Sequence, residues 1–292
     1  MAIWNIIKAI ILGIVQGITE WLPISSTGHL ILFERFLTFE NVSPDFFGVF
    51  KIVIQLGSIL AVVVLYFKKL FPYKKPDELE YSDKFGANVG VFIKSVFNDK
   101  KTWLLWLKIA IACIPAVIVG YFLDDVLDKY LSTYYIIAAT LIIYGLAFLW
   151  LENRAHKTKC NDIEKLDVKT SFLIGCFQTL ALIPGTSRSG STIIGATVLG
   201  TSRPVAAEFS FFLAVPIMFG ATFLRIIKST GGFTAFEWIL MLIGTAVAYF
   251  VSVVAIKFFI NYIKKHSFVV FGWYRIILGI VILLVSFLTR LF

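Results

Sequence analysis

Six almost wholly apolar stretches, each about 20 residues long, divide this 292-residue chain. They cover residues 46–67, 103–122, 133–151, 205–224, 238–258 and 270–289. A helix needs roughly 20 apolar residues to cross a bilayer core about 30 Å thick. Only 15% of the chain is charged, whereas soluble domains carry about 25%. The sequence therefore predicts an all-α polytopic membrane protein with about six transmembrane helices.

The charged connections predict how the chain is oriented. Lysines crowd the linkers 68–102 and 152–169 and the 259–269 turn, whereas the 123–132 turn holds three aspartates. Because basic residues favour the cytoplasmic side, we expect the lysine-bearing segments there and the acidic turn outside. The net charge of +9 then reflects topology. It does not indicate nucleic-acid binding, which would require a continuous basic stripe.

Two further segments, 3–37 and 170–202, are apolar at both ends but interrupted by Pro, Gly, Ser and Thr. The first is not typical of a signal peptide, because Lys8 lies within it and no small-residue cleavage site follows. Irregular backbone is tolerated at membrane depth only where protein or a water-filled cavity covers it. We predict that each segment forms a re-entrant helical hairpin, with two half-helices that enter and leave by the same face.

The two interrupted segments are related to each other. GIVQGITEWLPISSTGH (13–29) and GCFQTLALIPGTSRSGS (175–191) align without a gap. The alignment matches Gly13, Gln16, Ser25 and Gly28 with Gly175, Gln178, Ser187 and Gly190. Three predicted spans follow each motif, and this odd number places the second half in the opposite orientation. We predict one membrane domain, 1–292, containing inverted repeats of about 1–152 and 166–292, with a site near the membrane midplane.

The first motif carries a carboxylate where a membrane protein rarely tolerates one. Gln16 and Glu20 are four residues apart and share one face of a helix. A carboxylate at this depth is costly unless it is paired, protonated or bound to a cation. Glu20 is therefore a candidate functional residue.

Pro23 is predicted to end that helix. Ser25, Ser26 and Thr27 follow it and are suited to capping the next helix. The N–H groups and positive dipole at that helix N-terminus attract anions. His29, about one turn further on, is a candidate acid, base or nucleophile.

The second motif, GTSRSGS at 185–191, places Arg188 among hydroxyl groups: Thr186, Ser187, Ser189 and Ser191. A guanidinium group among hydroxyls and helix N–H groups suits phosphate oxygens. Two alternatives stay open. Arg188 could instead reach the membrane surface, and the hydroxyls could bond only to neighbouring backbone or helices.

At these motifs the sequence resembles the bacitracin-resistance type of undecaprenyl-diphosphate phosphatase. The resemblance runs nearly end to end and rests on GITEWLPISSTGHLIL, VIQLGSILAVVV, PGTSRSG and EFSFFLAVP. It implies hydrolysis of undecaprenyl diphosphate to the monophosphate and inorganic phosphate, which recycles the lipid carrier of bacterial envelope polymers. It also implies a divalent cation (Mg²⁺ or Ca²⁺), a site open to the outer face of the bacterial plasma membrane, and a homodimer.

The resemblance also implies roles for individual residues. Glu20 would be the essential acidic residue and a metal contact, while Ser26 and His29 would be the nucleophile and its acid/base partner, with their roles open. Arg188 would clamp the diphosphate together with the hydroxyls of Ser25, Thr27, Thr186, Ser187 and Ser189. Many family members carry Glu where this chain has Gln16. An amide oxygen can also coordinate a cation, but it contributes less charge.

From the residues alone, a second class of function competes. Inverted repeats and broken helices are typical of secondary transporters, so a transporter or lipid flippase is the rival interpretation. A purely structural membrane scaffold poorly explains two costly polar motifs at depth.

Overall fold

The computed structural model describes residues 2–34, 36–72, 96, 99–131, 133–154, 158–228 and 232–288. The regular structure of these residues is helical, apart from one isolated bridge pair between Cys160 and Thr201. The helices are α1 (Ala2–Thr19), α2 (Ser26–Glu34), α3 (Phe46–Leu65), α4 (Phe67–Leu70), α5 (Lys100–Leu131), α6 (Tyr134–Glu152), α7 (Val168–Thr179), α8 (Arg188–Val198), α9 (Arg203–Lys228), α10 (Ala235–Ile263) and α11 (Val269–Leu288). Short 3₁₀ turns occupy Ile163–Lys165 and Leu180–Leu182.

Seven helices of the described ranges are long and apolar enough to cross a membrane: α1, α3, α5, α6, α9, α10 and α11. Six of them coincide with the predicted spans, which confirms the all-α polytopic class. The seventh, α1, has 18 residues and is longer than the expected half-helix. It continues to Thr19 because no proline interrupts it before Pro23.

The predicted turn at 123–132 is wrong, because α5 continues as a helix through Leu131. The segment LDDVLDKYL contains no glycine or proline that would stop a helix. Most of the 68–102 linker, which we predict to be on the cytoplasmic side, lies outside the described residues.

Ion pairs join several helix termini at one end of the molecule, which we call the basic end. Arg203 at the start of α9 pairs with Glu152 at the end of α6. Lys101, at the start of α5, contacts Glu164 at 2.9 Å, just before α7 begins. Glu152 also accepts a 2.9 Å hydrogen bond from the backbone N–H of Phe268, just before α11.

Helices α1 and α2 form a hairpin that opens at the other end. The side chain of Asn5 near the start of α1 donates to the carbonyl of Glu40 at 2.8 Å. Glu34, where α2 ends, accepts from Lys51 of α3 at 3.1 Å. Both arms of this hairpin therefore enter and leave by the end opposite the basic end.

Helices α7 and α8 form a hairpin that opens at the basic end. The backbone N–H groups of Lys159 and Cys160, ahead of α7, donate to the carbonyl of Gly200, just after α8, at 2.8 and 3.1 Å. The two hairpins thus enter from opposite ends and their tips meet between them. An inverted relation between the two halves of the chain remains our interpretation of this arrangement.

Glycines at aligned positions bring each hairpin close to a long helix of the other half. A Cβ on Gly13 of α1 would lie 2.7 Å from the carbonyl oxygen of Gly244 in α10. A Cβ on Gly175 of α7 would lie 2.1 Å from the carbonyl oxygen of Ala112 in α5. Small residues permit such close backbone contact between membrane helices. These two contacts fix the depth of the tips.

Candidate active site

The two hairpin tips, residues 20–29 and 182–191, touch each other directly. The hydroxyl of Ser189, in the first turn of α8, lies 3.4 Å from the carbonyl oxygen of Glu20 and 3.3 Å from that of Leu22. Helices α2 and α8 both begin at this contact. Each presents first-turn N–H groups without an intrahelical acceptor and the positive end of a helix dipole.

In each tip, the residue just before the second helix is a serine with left-handed backbone. Ser25 has a φ of 73° and Ser187 a φ of 70°. Their hydroxyl oxygens accept hydrogen bonds from the N–H groups of Gly28 at 3.3 Å and Gly190 at 3.2 Å, respectively. This confirms the predicted capping role of Ser25. A positive φ costs an L-residue about 1–2 kcal/mol, and such strain persists where the surrounding structure enforces it.

A buried ion pair joins the two tips. The guanidinium of Arg188 donates through Nη2 to Oε1 of Glu20 at 3.0 Å, and the two side chains are only 12% and 7% exposed. Through Nη1, Arg188 also donates to the carbonyl of Ser210 in α9 at 2.7 Å. Its guanidinium lies 5.5 Å from the ring centre of the buried Trp21. The alternative that Arg188 extends to the surface is therefore wrong.

The second carboxylate oxygen of Glu20 accepts two more hydrogen bonds. Nε2 of Gln16 and Oγ of Ser26 each donate to Oε2 at 3.0 Å. The predicted shared face of Gln16 and Glu20 is thus confirmed. The hydroxyl of Ser26 is hydrogen-bonded to this carboxylate, so it is placed to pass its proton to Glu20.

His29 lies in the first turn of α2 but faces a different helix. It is 6% exposed, and its Nδ1 is 2.8 Å from the carbonyl oxygen of Ser25. Its Nε2 is 2.7 Å from the hydroxyl of Tyr274 in α11. Among the described residues, no hydrogen bond joins His29 to Ser26.

The other predicted substrate-binding hydroxyls have varied surroundings. Thr27 is exposed. Thr186 is buried and donates to the carbonyls of Leu180 and Ile183 at 2.9 and 2.7 Å. The hydroxyls of Ser187 and Ser189 lie 3.1 Å apart. The role of these groups in substrate binding stays a prediction.

Arg275 is a site residue that the motif analysis missed. It is fully buried in α11 and donates to three tip carbonyls, those of Pro23 at 3.1 Å, Gly185 at 2.9 Å and Thr186 at 2.8 Å. It therefore ties the first tip to the second. A signal was present in the sequence, because an ionisable residue within the apolar stretch 270–289 indicates function.

The oxygen atoms around Glu20 suit a hard divalent cation. Within the described part of the chain, no three His, Cys, Asp or Glu residues cluster to hold a metal. However, Oε1 of Gln16 is buried and has no hydrogen-bond partner there, and it belongs to the side chain that contacts Glu20. Mg²⁺ typically takes one or two carboxylates and completes its shell with water and substrate phosphates. Gln16 and Glu20 fit such a site.

Known proteins match this chain over nearly its whole length. The model of the family described as bacitracin resistance protein BacA matches residues 9–281. Undecaprenyl-diphosphatase 1 of Clostridioides difficile (strain 630) is 51% identical over 284 residues, covering 97% of each chain. An undecaprenyl-diphosphatase of Enterococcus faecalis (strain ATCC 700802 / V583) is 48% identical over 284 residues, covering 96% of each. The chain therefore belongs to the bacitracin resistance protein BacA family.

Proposed function

We propose that this protein is an integral membrane phosphatase that hydrolyses undecaprenyl diphosphate to undecaprenyl phosphate and inorganic phosphate. This activity recycles the lipid carrier for cell-wall synthesis and confers bacitracin resistance. The names of the relatives, undecaprenyl-diphosphatases about 50% identical to this chain, support the substrate. The observation that carries the chemistry is the buried contact of Arg188 and Ser26 with Glu20, where two helix N-termini meet.

The tips provide positive charge for a diphosphate. The guanidinium of Arg188 and the N-termini of α2 and α8 converge on one region, and phosphate groups bind at helix N-termini. The transferring phosphoryl group spreads its negative charge over three oxygens, so fixed positive groups stabilise its transition state. The apolar surroundings strengthen these interactions because they exclude water.

Ser26 is the nucleophile in the mechanism that we favour, because its hydroxyl contacts a carboxylate whereas His29 contacts Tyr274. Oγ of Ser26 attacks the terminal phosphorus while its proton passes to Glu20. The bond from that phosphorus to the bridging oxygen breaks, and undecaprenyl phosphate leaves with the bond electrons. Water then attacks the phosphoserine as His29 takes its proton, and Glu20 returns the first proton to Oγ of Ser26. This releases inorganic phosphate and restores Ser26. A phosphoserine trapped in His29→Gln would support this order, and a phosphohistidine in the parent protein would contradict it.

A divalent cation, Mg²⁺ or Ca²⁺, belongs to the proposal. Gln16 and Glu20 would hold it, and when bound it would neutralise phosphate charge. A second copy of the chain, as a homodimer, and the surrounding membrane lipids are the other expected partners; nucleic acid is not expected.

The membrane orientation follows from the positive-inside bias. We assign the basic end to the cytoplasmic side of the bacterial plasma membrane. The α1–α2 hairpin then enters from the outer face, and the site opens towards that face. The prenyl tail would lie between helices in the lipid.

Phosphate release from a prenyl diphosphate by the purified protein in detergent or vesicles tests the function. We expect release that stops in chelator and returns with Mg²⁺ or Ca²⁺. Gln16→Leu should raise the cation concentration for half-maximal activity by about tenfold. Loss of one residue that supports a metal site typically lowers metal affinity by at least that factor. Gln178→Leu changes the aligned glutamine of the other hairpin and should leave that concentration unchanged. Full activity in chelator would exclude the cation.

The rival transporter function predicts a different result in the same vesicles. Accumulation of intact prenyl diphosphate or monophosphate across the membrane, without release of inorganic phosphate, would contradict the phosphatase. Release of phosphate without net movement of intact substrate would exclude transport as the principal activity.

A further inference from the structure

Tyr274 contacts His29 in two ways. Their ring planes are nearly parallel, 11° apart with centroids separated by 5.6 Å. The tyrosine hydroxyl lies 2.7 Å from Nε2 of His29. The two residues are 245 positions apart in the chain, so this contact exists only because α11 packs beside the first hairpin tip.

The hydrogen bonds define which tautomer the neutral imidazole of His29 adopts. A carbonyl oxygen only accepts hydrogen bonds, so the contact with the carbonyl of Ser25 requires a proton on Nδ1 of His29. In the neutral ring, Nε2 then carries a lone pair and accepts from the hydroxyl of Tyr274. Both ring nitrogens of His29 are therefore engaged, one by its own hairpin and the other by the second half of the chain.

The direction of the Tyr274 hydroxyl is unusual for its position. The side chain is 43% exposed, and its neighbour Trp273 is 54% exposed, as expected for residues on the outer surface of a membrane helix. Tyrosines at the membrane interface commonly direct the hydroxyl towards water, but Tyr274 precedes Arg275, which contacts both hairpin tips. Here the hydroxyl is directed to the buried imidazole of His29, three residues after the serine that contacts Glu20.

We propose that Tyr274 is a positioning residue of the phosphatase site, which holds the ring plane of His29 and keeps Nε2 as a hydrogen-bond acceptor. Nδ1 is bonded to the backbone, so proton transfer at His29 goes through Nε2, which exchanges its hydrogen bond with the Tyr274 hydroxyl for one with the reacting water. Tyr274 acts on the reaction through that atom. This inference rests on the proposed function, and it adds a residue outside both polar motifs to the site.

A double-mutant cycle separates action through His29 from a general structural role. Tyr274→Phe keeps the ring and removes only the hydroxyl. We expect kcat to fall about tenfold, which is less than the rate enhancement that an acid/base group itself provides. KM should change less than twofold. In the His29→Gln background, the same substitution should lower kcat less than twofold. Tyr121→Phe, an exposed tyrosine on α5, is the matched control and should retain parent activity.

The result that would overturn the inference is an equal loss in both backgrounds, or parent kcat in Tyr274→Phe. Nuclear magnetic resonance provides a readout independent of activity. In a His156→Gln/His266→Gln background, His29 is the remaining histidine, so ¹⁵N-histidine labelling reports on it alone. We expect the Nε2 signal of Tyr274→Phe to move towards that of an imidazole nitrogen without a hydrogen bond. An unchanged signal would contradict the proposed contact.

The two readouts keep the inference distinct from the function on which it rests. A parent protein that releases no phosphate, but whose Nε2 signal responds to Tyr274→Phe, would refute the proposed function and leave the contact established. A parent protein that releases phosphate at the same kcat as Tyr274→Phe would refute the positioning role alone.

Discussion

Ser25 and Ser187 occupy equivalent positions in the two hairpin tips, and they have the same backbone conformation and the same capping role. Both have a φ near 70° and both cap the following helix through the N–H of a glycine three residues on. Behind them, Gly13 and Gly175 provide equivalent close contacts with a long helix. The two motifs therefore share a backbone design, which presents two helix N-termini to one region.

The side chains on this shared backbone differ at most aligned positions, and three of these differences involve charged or reactive groups. The first tip has Glu20, Ser26 and His29; the second has Leu182, Arg188 and Ser191. Ser26 and Arg188 are the first residues of α2 and α8, and both donate to Glu20. The comparison suggests that the repeated backbone provides an anion-binding frame, while the divergence of a few side chains supplies the charge pair and the reactive hydroxyl.

The largest expected effect tests the divergent side chains. Arg188→Lys keeps the charge but loses the planar fork that reaches both Glu20 and the carbonyl of Ser210. We expect kcat for phosphate release to fall about 10²–10³-fold, the range for loss of one donor that stabilises a developing oxyanion. Arg203→Lys is the control, because Arg203 also begins a helix and pairs with a glutamate, at the basic end. Activity of Arg188→Lys within threefold of the parent would contradict the clamp.

A smaller effect tests the shared packing of the hairpins. A Cβ would approach a carbonyl oxygen to 2.1 Å at Gly175 but to 2.7 Å at Gly13. Since overpacking costs about 1–3 kcal/mol, we expect Gly175→Ala to lower the free energy of unfolding by about 3 kcal/mol and Gly13→Ala by about 1 kcal/mol. Denaturant titration in detergent micelles measures both.

The control for these glycines is Gly220→Ala in α9. Apart from its chain neighbours and the backbone of its own helix, no described atom lies within 4 Å of a Cβ at that position. The gain in helix propensity should therefore leave the protein as stable or up to about 1 kcal/mol more stable. Equal destabilisation by all three substitutions would show that close helix contact is not the reason for the glycines at 13 and 175.

The smallest effect tests the equivalence of the caps. Ser25→Ala and Ser187→Ala should each destabilise the protein by about 1 kcal/mol, because the cap is lost and the positive φ remains. Ser25→Gly and Ser187→Gly should be nearly neutral, because glycine relieves the strain and is itself a tolerated cap. Thermal unfolding of the four variants in the same detergent checks this. A clear difference between the two tips would break the proposed equivalence.

Features that depend on nearby residues could be predicted from the sequence. Continuous apolar stretches predicted the long helices, since a bilayer selects length and composition. Pro23 and the serines after it predicted the break and the cap at the first tip. The spacing of Gln16 and Glu20 predicted their contact, because residues four apart meet on a helix. The prediction of a turn at 123–132 was wrong although it also rested on nearby residues. Its aspartates indicated a connection, but no residue there stops the helix.

Only the tertiary structure decided which side chains meet. Glu20 and Arg188 are 168 residues apart, His29 and Tyr274 are 245 apart, and Pro23 and Arg275 are 252 apart. The sequence alone supplied a carboxylate, a histidine and an arginine as candidates, and paired Ser26 with His29 only through a family resemblance. The structure places Ser26 against Glu20 and His29 against Tyr274. Helix packing sets these contacts, because the depth at which each hairpin rests on its long helix determines which atoms come within hydrogen-bond distance.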